Sequence, residues 1–142
     1  MSESDTVNFR RIPLEVFNEG RYELIDELVA KDFVEHVPLP PGMPEGTEGL
    51  RAFAQAIRAA FPDFRYSIKL QLRDGDMHVG YIQASGTMSG DFMGMPASGK
   101  AATWDEVHIG RYSGGKLVEH WAVVDQLGML QQLGFAPVPG AG

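Results

Sequence analysis

Apolar residues recur at helical spacing through the first half of the chain, most clearly between residues 47 and 61. Five of them fall on one helix face: Leu50, Phe53, Ala54, Ile57 and Phe61. Thr47 is the predicted N-cap of this helix, and Pro62 ends it. Weaker patterns predict helices over residues 7–18 and 21–30, followed by a short extended segment over 32–37.

The second half of the chain carries strand patterns, predicted over residues 65–73, 77–88, 102–112 and 116–125. A last short helix is expected over residues 127–133, where Gly134 stops it. Helices come first and strands follow, without β-α-β alternation, so the pattern predicts the α+β class. We expect a single domain over residues 1–142, with a frayed tail over 136–142 because that segment is rich in Pro, Gly and Ala.

The last two strands flank Gly114-Gly115, a two-residue sequence typical of a hairpin turn. With that turn, Ser113 lies opposite Lys116, and the register assigns every later side chain to a face. One face then mixes aromatic and ionisable groups, as a pocket lining does: Trp104, Glu106, His108, Glu119, Trp121 and Asp125. The opposite face, which includes His120, is mostly apolar. A three-residue loop would shift the pairing by one and mix these two sets.

Charge and composition exclude several classes of function. The formal net charge of −7 argues against a nucleic-acid or anionic-membrane partner. The chain has no cysteine, which removes disulfides, thiol chemistry and thiolate metal sites. The four histidines are scattered without metal-ligand spacing, and no apolar run approaches ~20 residues. We therefore expect a cytoplasmic protein with no metal, no cofactor and no membrane partner.

Several segments, in this order and spacing, resemble the SnoaL-like polyketide cyclase family, also called ester cyclases. They are residues 18–20, 32–36, 46–51, 61–64, 90–99, 107–111, 115–125 and 132–134, the run from 115 being the most specific. The resemblance implies the cone-shaped α+β barrel shared with nuclear transport factor 2 and ketosteroid isomerase, in which a curved antiparallel sheet wraps helices around a deep apolar pocket. It also implies aldol-type ring closure without metal or cofactor, and a homodimer formed through the outer sheet face.

Two residues are the predicted catalytic groups. By resemblance, Asp125 is the acid/base, and burial beside an indole would make its carboxylate a better base. The alternative is that Asp125 caps the helix that follows it. His108 would stabilise an enolate or alkoxide oxygen. Its alternative role is structural, through a hydrogen bond to Glu106 or Glu119.

A second group of residues is predicted to bind the substrate. The indoles would hold a flat ring system, the loop residues would form a pliant lid, and the resemblance places the histidine at the pocket mouth. These residues are His36, Phe92, Met93, Trp104, Glu106 and Trp121.

The leading hypothesis is a cofactor-independent, cyclase-like enzyme acting on a small aromatic or polyketide-like molecule. Because a fold does not fix its chemistry, the same pocket could instead serve a hydrolase, an isomerase or a hydroxylase. A protein that binds a small ligand without catalysis is the third possibility.

Overall fold

The computed structural model describes residues 2–140, in which helices pack on one face of a five-stranded sheet. The strands are β1 (Val29–Glu35), β2 (Arg65–Asp74), β3 (Met77–Thr87), β4 (Ala101–Ser113) and β5 (Lys116–Val124). The helices are α1 (Ser2–Arg11), which continues as a π-helix (Ile12–Phe17), a 3₁₀ turn (Tyr22–Leu24), α2 (Ile25–Leu28), α3 (Gly46–Ala60) and α4 (Gln126–Leu133).

The sheet is mixed and open, with the strand order β1-β5-β4-β3-β2. The four later strands are antiparallel neighbours, as expected, whereas β1 runs parallel to β5. The predicted α+β cone is confirmed, and the prediction of a wholly antiparallel sheet is wrong. The β1–β5 pair is joined by a long connection through α3 and three strands, and such a crossover permits parallel pairing.

The N-terminal helix begins earlier than predicted and changes pitch at its middle. Pro13 has no N–H to donate to the preceding turn, and here it lies at the start of the π-helical segment. Val16 and Phe17 from this segment enter the core. The next predicted helix is also shorter than expected, because the chain is already extended at Val29 and begins β1 there.

Helix α3 ends before Pro62 as predicted, but it begins earlier than predicted. The N-cap residue is Glu45, without a side-chain capping bond, and Thr47 is buried inside the first turn. The predicted capping role of Thr47 is therefore wrong. Gly49 permits a close approach of the proline-rich loop, since a Cβ there would lie 2.0 Å from the Pro44 carbonyl oxygen. Thus α3 fixes the loop that leads out of β1.

The β4–β5 hairpin starts in the predicted register and then departs from it. Ser113 lies opposite Lys116, but Arg111 lies opposite Glu119, so Val118 is an extra residue on β5. Such a β-bulge moves every later side chain of its strand to the other face. His120 therefore shares a face with His108, and the predicted register beyond the turn is wrong.

The C-terminal segment follows the prediction closely. Helix α4 ends at Leu133, and Gly134 caps it in the left-handed conformation at φ 90°. Residues 136–140 form no helix or strand, although the Pro137 carbonyl accepts a hydrogen bond from Gln131. The last two residues of the predicted frayed tail lie outside the described residues. Within residues 2–140, no helix has the length and apolar character needed to cross a bilayer.

Candidate active site

A cavity of about 250 Å³ lies between the helices and one face of the sheet. Most of its wall is apolar, built from side chains of α1, the π-helix, α3, the sheet and the loops at its mouth. The polar groups that line it come mainly from strands β1, β2, β4 and β5: Glu35, Tyr66, Trp104, Glu106, His108 and His120. The cavity thus combines an apolar wall with a small cluster of ionisable side chains, the usual arrangement of a ligand site.

Glu106 is almost completely buried, with 5% of its surface exposed. Its carboxylate accepts hydrogen bonds from Tyr66 Oη at 3.0 Å, Trp104 Nε1 at 2.7 Å and His108 Nε2 at 2.6 Å. Burial favours the neutral acid, but the His108 contact and the two other donors outweigh it, so the pKa of Glu106 lies below its ordinary value. A buried carboxylate with three donors is therefore held as an anion.

Tyr66 supplies its hydroxyl from β2, opposite Ala84 of β3. Burial, together with the nearby charge of Glu106, raises the pKa of this phenol well above its ordinary value. Tyr66 is therefore a hydrogen-bond donor to Glu106 and not a base.

Two histidines meet at the centre of the cluster. His108 Nδ1 and His120 Nε2 are 2.9 Å apart, and the two rings meet edge to edge with centroids 5.1 Å apart and planes at 27°. The β-bulge at Val118 makes this contact possible, because it turns His120 to the cavity side of the sheet. The predicted position of His120 on the opposite face is therefore wrong.

Glu35 completes the cluster from β1. The parallel register places Glu35 beside His120, and His120 Nδ1 lies 2.7 and 3.0 Å from the two carboxylate oxygens. Glu35 also accepts a hydrogen bond from the backbone N–H of Val37 at 3.1 Å. Each imidazole is therefore oriented by its own carboxylate, His108 by Glu106 and His120 by Glu35.

The structure brings five of the predicted site residues to the cavity wall: Phe92, Met93, Trp104, Glu106 and His108. Asp125 is not among them. It is exposed at the start of α4, where its carboxylate accepts a hydrogen bond from the Gly128 N–H at 3.0 Å. The predicted position opposite Trp104 is wrong because the bulge shifts the register, and the alternative role of Asp125 as a helix cap is the one observed.

Trp121 and His36 also lie away from the cavity, on the outer side of the sheet. Their rings stack with centroids 4.8 Å apart and planes at 6°. Glu119 accepts hydrogen bonds from His36 at 2.7 Å and Arg111 at 3.0 Å, and these contacts lower the pKa of Glu119. The predicted pocket position of Trp121 is wrong because of the same one-residue shift in register. The predicted position of His36 at the pocket mouth is also wrong, because its ring stacks on Trp121 on the outer side.

No group of three or more His, Cys, Asp or Glu side chains within residues 2–140 is arranged to hold a metal ion. The four-residue cluster is instead a linear chain of hydrogen bonds, from Glu35 through the two histidines to Glu106. This arrangement is suited to moving protons.

Comparison with known proteins identifies the fold and the family. The family model for SnoaL-like polyketide cyclases matches residues 8–133. The chain belongs to the SnoaL-like polyketide cyclase family. Its curated relatives include the nogalonic acid methyl ester cyclase of Streptomyces nogalater, which is 27% identical over 119 residues, covering 83% of this chain and 89% of the relative.

Two solved structures are also similar to this chain. TsrD from Streptomyces laurentii superposes with a TM-score of 0.85 at 25% identity, covering 94% of this chain and 97% of its own. IdmH from Streptomyces antibioticus superposes with a TM-score of 0.79 at 34% identity, covering 92% and 98%. The expected SnoaL-like fold and family are therefore confirmed, and membership supports a cyclase-like role.

Within this SnoaL-like fold, three ionisable residues of the cavity are absent from the predicted site: Glu35, Tyr66 and His120. Tyr66 occupies an alternating position of a correctly predicted strand, so its facing was open to prediction. His120 depends on a bulge, and Glu35 depends on parallel pairing between distant strands. Neither feature leaves a clear local pattern in the sequence.

Proposed function

We propose that this protein closes a ring in a small, uncharged polyketide by aldol-type acid–base chemistry in the cavity. The observation that carries the proposal is the Glu106–His108 pair, a buried carboxylate bonded to an imidazole in a mainly apolar cavity. Intramolecular aldol closure is redox-neutral and needs only proton transfers, so the proposal includes no cofactor.

His108 is the proposed base. Glu106 binds its Nε2–H, so the proton is taken up at Nδ1, which lies 2.9 Å from His120 Nε2 and becomes accessible when the substrate displaces that contact. Nδ1 removes a proton from a carbon next to a carbonyl, and the C–H electron pair becomes an enolate. The enolate carbon attacks a second carbonyl carbon of the same molecule, a C–C bond forms, and the new alkoxide oxygen takes up a proton. A positioned acid/base is typically worth ~10²–10⁴-fold in rate.

The charge of the cavity supports an uncharged substrate. Its described lining contains the carboxylates of Glu35 and Glu106 but no lysine or arginine. Both carboxylates are already bonded to the histidines, so a free carboxylic acid would enter as an anion beside them without a lysine or arginine partner, which is costly in an apolar site. An esterified acid avoids that cost. The names of relatives such as the nogalonic acid methyl ester cyclase fit this expectation.

The ring system of such a substrate would pack on the aromatic wall. Trp104 and Phe92 line the cavity, and the Met93 side chain lies at its exposed edge with 52% of its surface accessible. Flat aromatic faces favour flat, conjugated ligands. We therefore keep Trp104, Phe92 and Met93 as substrate-binding residues, together with Glu106 and His108.

The test uses aklanonic acid methyl ester, the compound in the names of two curated relatives, and the matching free acid. We expect ring closure of the ester, at least ~100-fold slower in His108→Gln, by the general-base magnitude. The free acid should be the poorer substrate. If the ester binds and His108→Gln closes the ring at the wild-type rate, the proposal fails. Hydrogen exchange at the α-carbon without ring closure would point to an isomerase in the same pocket.

We also propose that two copies associate through the outer face of the sheet. This outer face carries Val107, Ile109, Trp121 and Val123, and Val123 is 74% exposed. An exposed apolar sheet face of this kind is typical of an interface.

A further inference from the structure

The two imidazoles of the cavity form two opposed pairs with their carboxylates. Glu35 binds His120 at Nδ1, and Glu106 binds His108 at Nε2. The remaining ring nitrogens, His120 Nε2 and His108 Nδ1, face each other at 2.9 Å. Every ring nitrogen of the pair therefore takes part in a hydrogen bond.

The number of protons in this hydrogen-bonded cluster of four residues fixes its charge. A carboxylate only accepts, so His120 Nδ1 and His108 Nε2 must each carry a proton. The bond between the two other nitrogens needs a third proton, since two bare lone pairs would repel each other. Two imidazoles with three ring protons amount to one neutral imidazole and one imidazolium. With two carboxylates, the four-residue cluster carries a net charge of −1.

The third proton is better stabilised on His120. Glu106 shares its negative charge among three donors, so each hydrogen bond draws on a smaller part of that charge. Among the described residues, the Glu35 carboxylate has only the Val37 N–H as a donor besides its contact with His120. An imidazolium at His120 therefore faces the less neutralised carboxylate, whereas His108 remains neutral.

We propose that His120 is the proton donor of the reaction and that one proton, shared with His108, resets the site after each turnover. This inference rests on the proposed cyclase function. When the bound substrate takes the place of the hydrogen bond between the two rings, His108 Nδ1 takes the proton from carbon and His120 gives its Nε2 proton to the developing alkoxide. The two histidines have then exchanged protonation states, and transfer of one proton across the 2.9 Å contact restores them. No net proton is gained or lost over the cycle. Glu35 is a positioning residue, because it acts through its hydrogen bond to His120 Nδ1.

The resting state can be tested without substrate by NMR on protein labelled with ¹⁵N-histidine. We expect three ring N–H protons for His108 and His120 together, one of them far downfield and correlated with nitrogens of both rings. His108→Gln and His120→Gln assign the signals. Glu35→Gln should reduce the count to two, because an amide cannot offset the imidazolium charge. A count of two in the wild-type protein would overturn the proposal.

The catalytic part is tested with the same methyl ester in D₂O. His120→Gln should lower ring closure at least ~100-fold while α-carbon hydrogen exchange continues, because the base is intact. His108→Gln should lose both. His36→Gln, a histidine on the outer side, is the matched control and should behave as wild type. Full ring closure in His120→Gln, with loss in His108→Gln, would reject the role of His120 and leave the proposed function standing.

Discussion

His120 Nε2 lies 2.9 Å from His108 Nδ1, although the hairpin turn alone would place these residues on opposite faces of the sheet. The cause is Val118, the one residue of β5 that has no partner on β4 between Leu117 and Glu119. Bulges commonly re-aim a side chain near a functional site. Because of the bulge, His120 lies on the cavity face and Trp121 lies on the outer face. The cavity therefore has an ionisable imidazole where the unshifted register would place an indole.

The two most buried tyrosines of the sheet offer a matched test of the Glu106 site. Tyr66 donates to Glu106, whereas the Tyr112 hydroxyl is buried with no hydrogen-bond partner among the described residues. Tyr66→Phe should cost about 1–3 kcal/mol, because a buried charge loses a donor. Tyr112→Phe should be near neutral or stabilising. Urea unfolding of both variants measures the difference, and equal losses would show that the Tyr66 hydroxyl has no special role.

Asp125 is expected to matter for stability and not for chemistry. Asp125 is exposed, and its carboxylate caps α4 by accepting a hydrogen bond from the Gly128 N–H. Asp125→Ala should lower the free energy of unfolding by about 1 kcal/mol, the usual cost of losing an N-cap. Asp125→Asn should recover most of that loss, since asparagine also caps well. Thermal unfolding and ring-closure assays separate the two effects, and a large loss of turnover in a folded Asp125→Asn would restore the acid/base role predicted from the sequence.

The extent to which the sequence predicts this molecule depends on how local each determinant is. The β2–β3 and β4–β5 pairs follow from alternation and short turns, and alternation along β4 places Trp104, Glu106 and His108 on one face as predicted. His120 and Glu35 could not be placed in this way. A bulge changes the register by one residue at small energetic cost, and a parallel pair between β1 and β5 is set by packing across the whole domain.

Gly49 should control the shape of the cavity mouth. A Cβ at this position would lie 2.0 Å from the Pro44 carbonyl oxygen and 3.1 Å from Leu39 Cδ1, and Leu39 lines the cavity. Gly49→Ala must displace the proline-rich loop, despite the better helix propensity of alanine. We expect a loss of about 1–3 kcal/mol, as for other overpacked sites, with weaker ligand binding. Gln55→Ala, at an exposed position of the same helix, is the control, and unchanged binding in a folded Gly49→Ala would separate the loop from the cavity.

Association through the outer face predicts a sharp effect of charge at Val123. Val123→Lys places an ammonium at the most exposed apolar residue of that face and should convert a dimer into a monomer. Val7→Lys changes an equally apolar residue that is 55% exposed on α1, and it should leave the dimer intact. Light scattering coupled to size-exclusion chromatography gives the mass of each. A wild-type monomer at all concentrations, or a Val123→Lys dimer, would exclude this interface.

His78 makes stability depend on pH in a predictable direction. It is fully buried, packs against Phe9 and Tyr112, and bonds to Thr6 Oγ1 at 3.2 Å. Burial lowers the pKa of His78, with smaller opposing effects from Asp5 and Asp76 and an assisting one from Arg73. The unfolded chain therefore binds a proton at this residue at higher pH than the folded chain does. The contribution of His78 to stability is complete well above its ordinary pKa of about 6.5 and is lost as the pH falls below that value. Urea unfolding from about pH 8 to about pH 5.5 should show a smaller decline for His78→Gln than for the wild type, and parallel curves would show that burial does not perturb this imidazole.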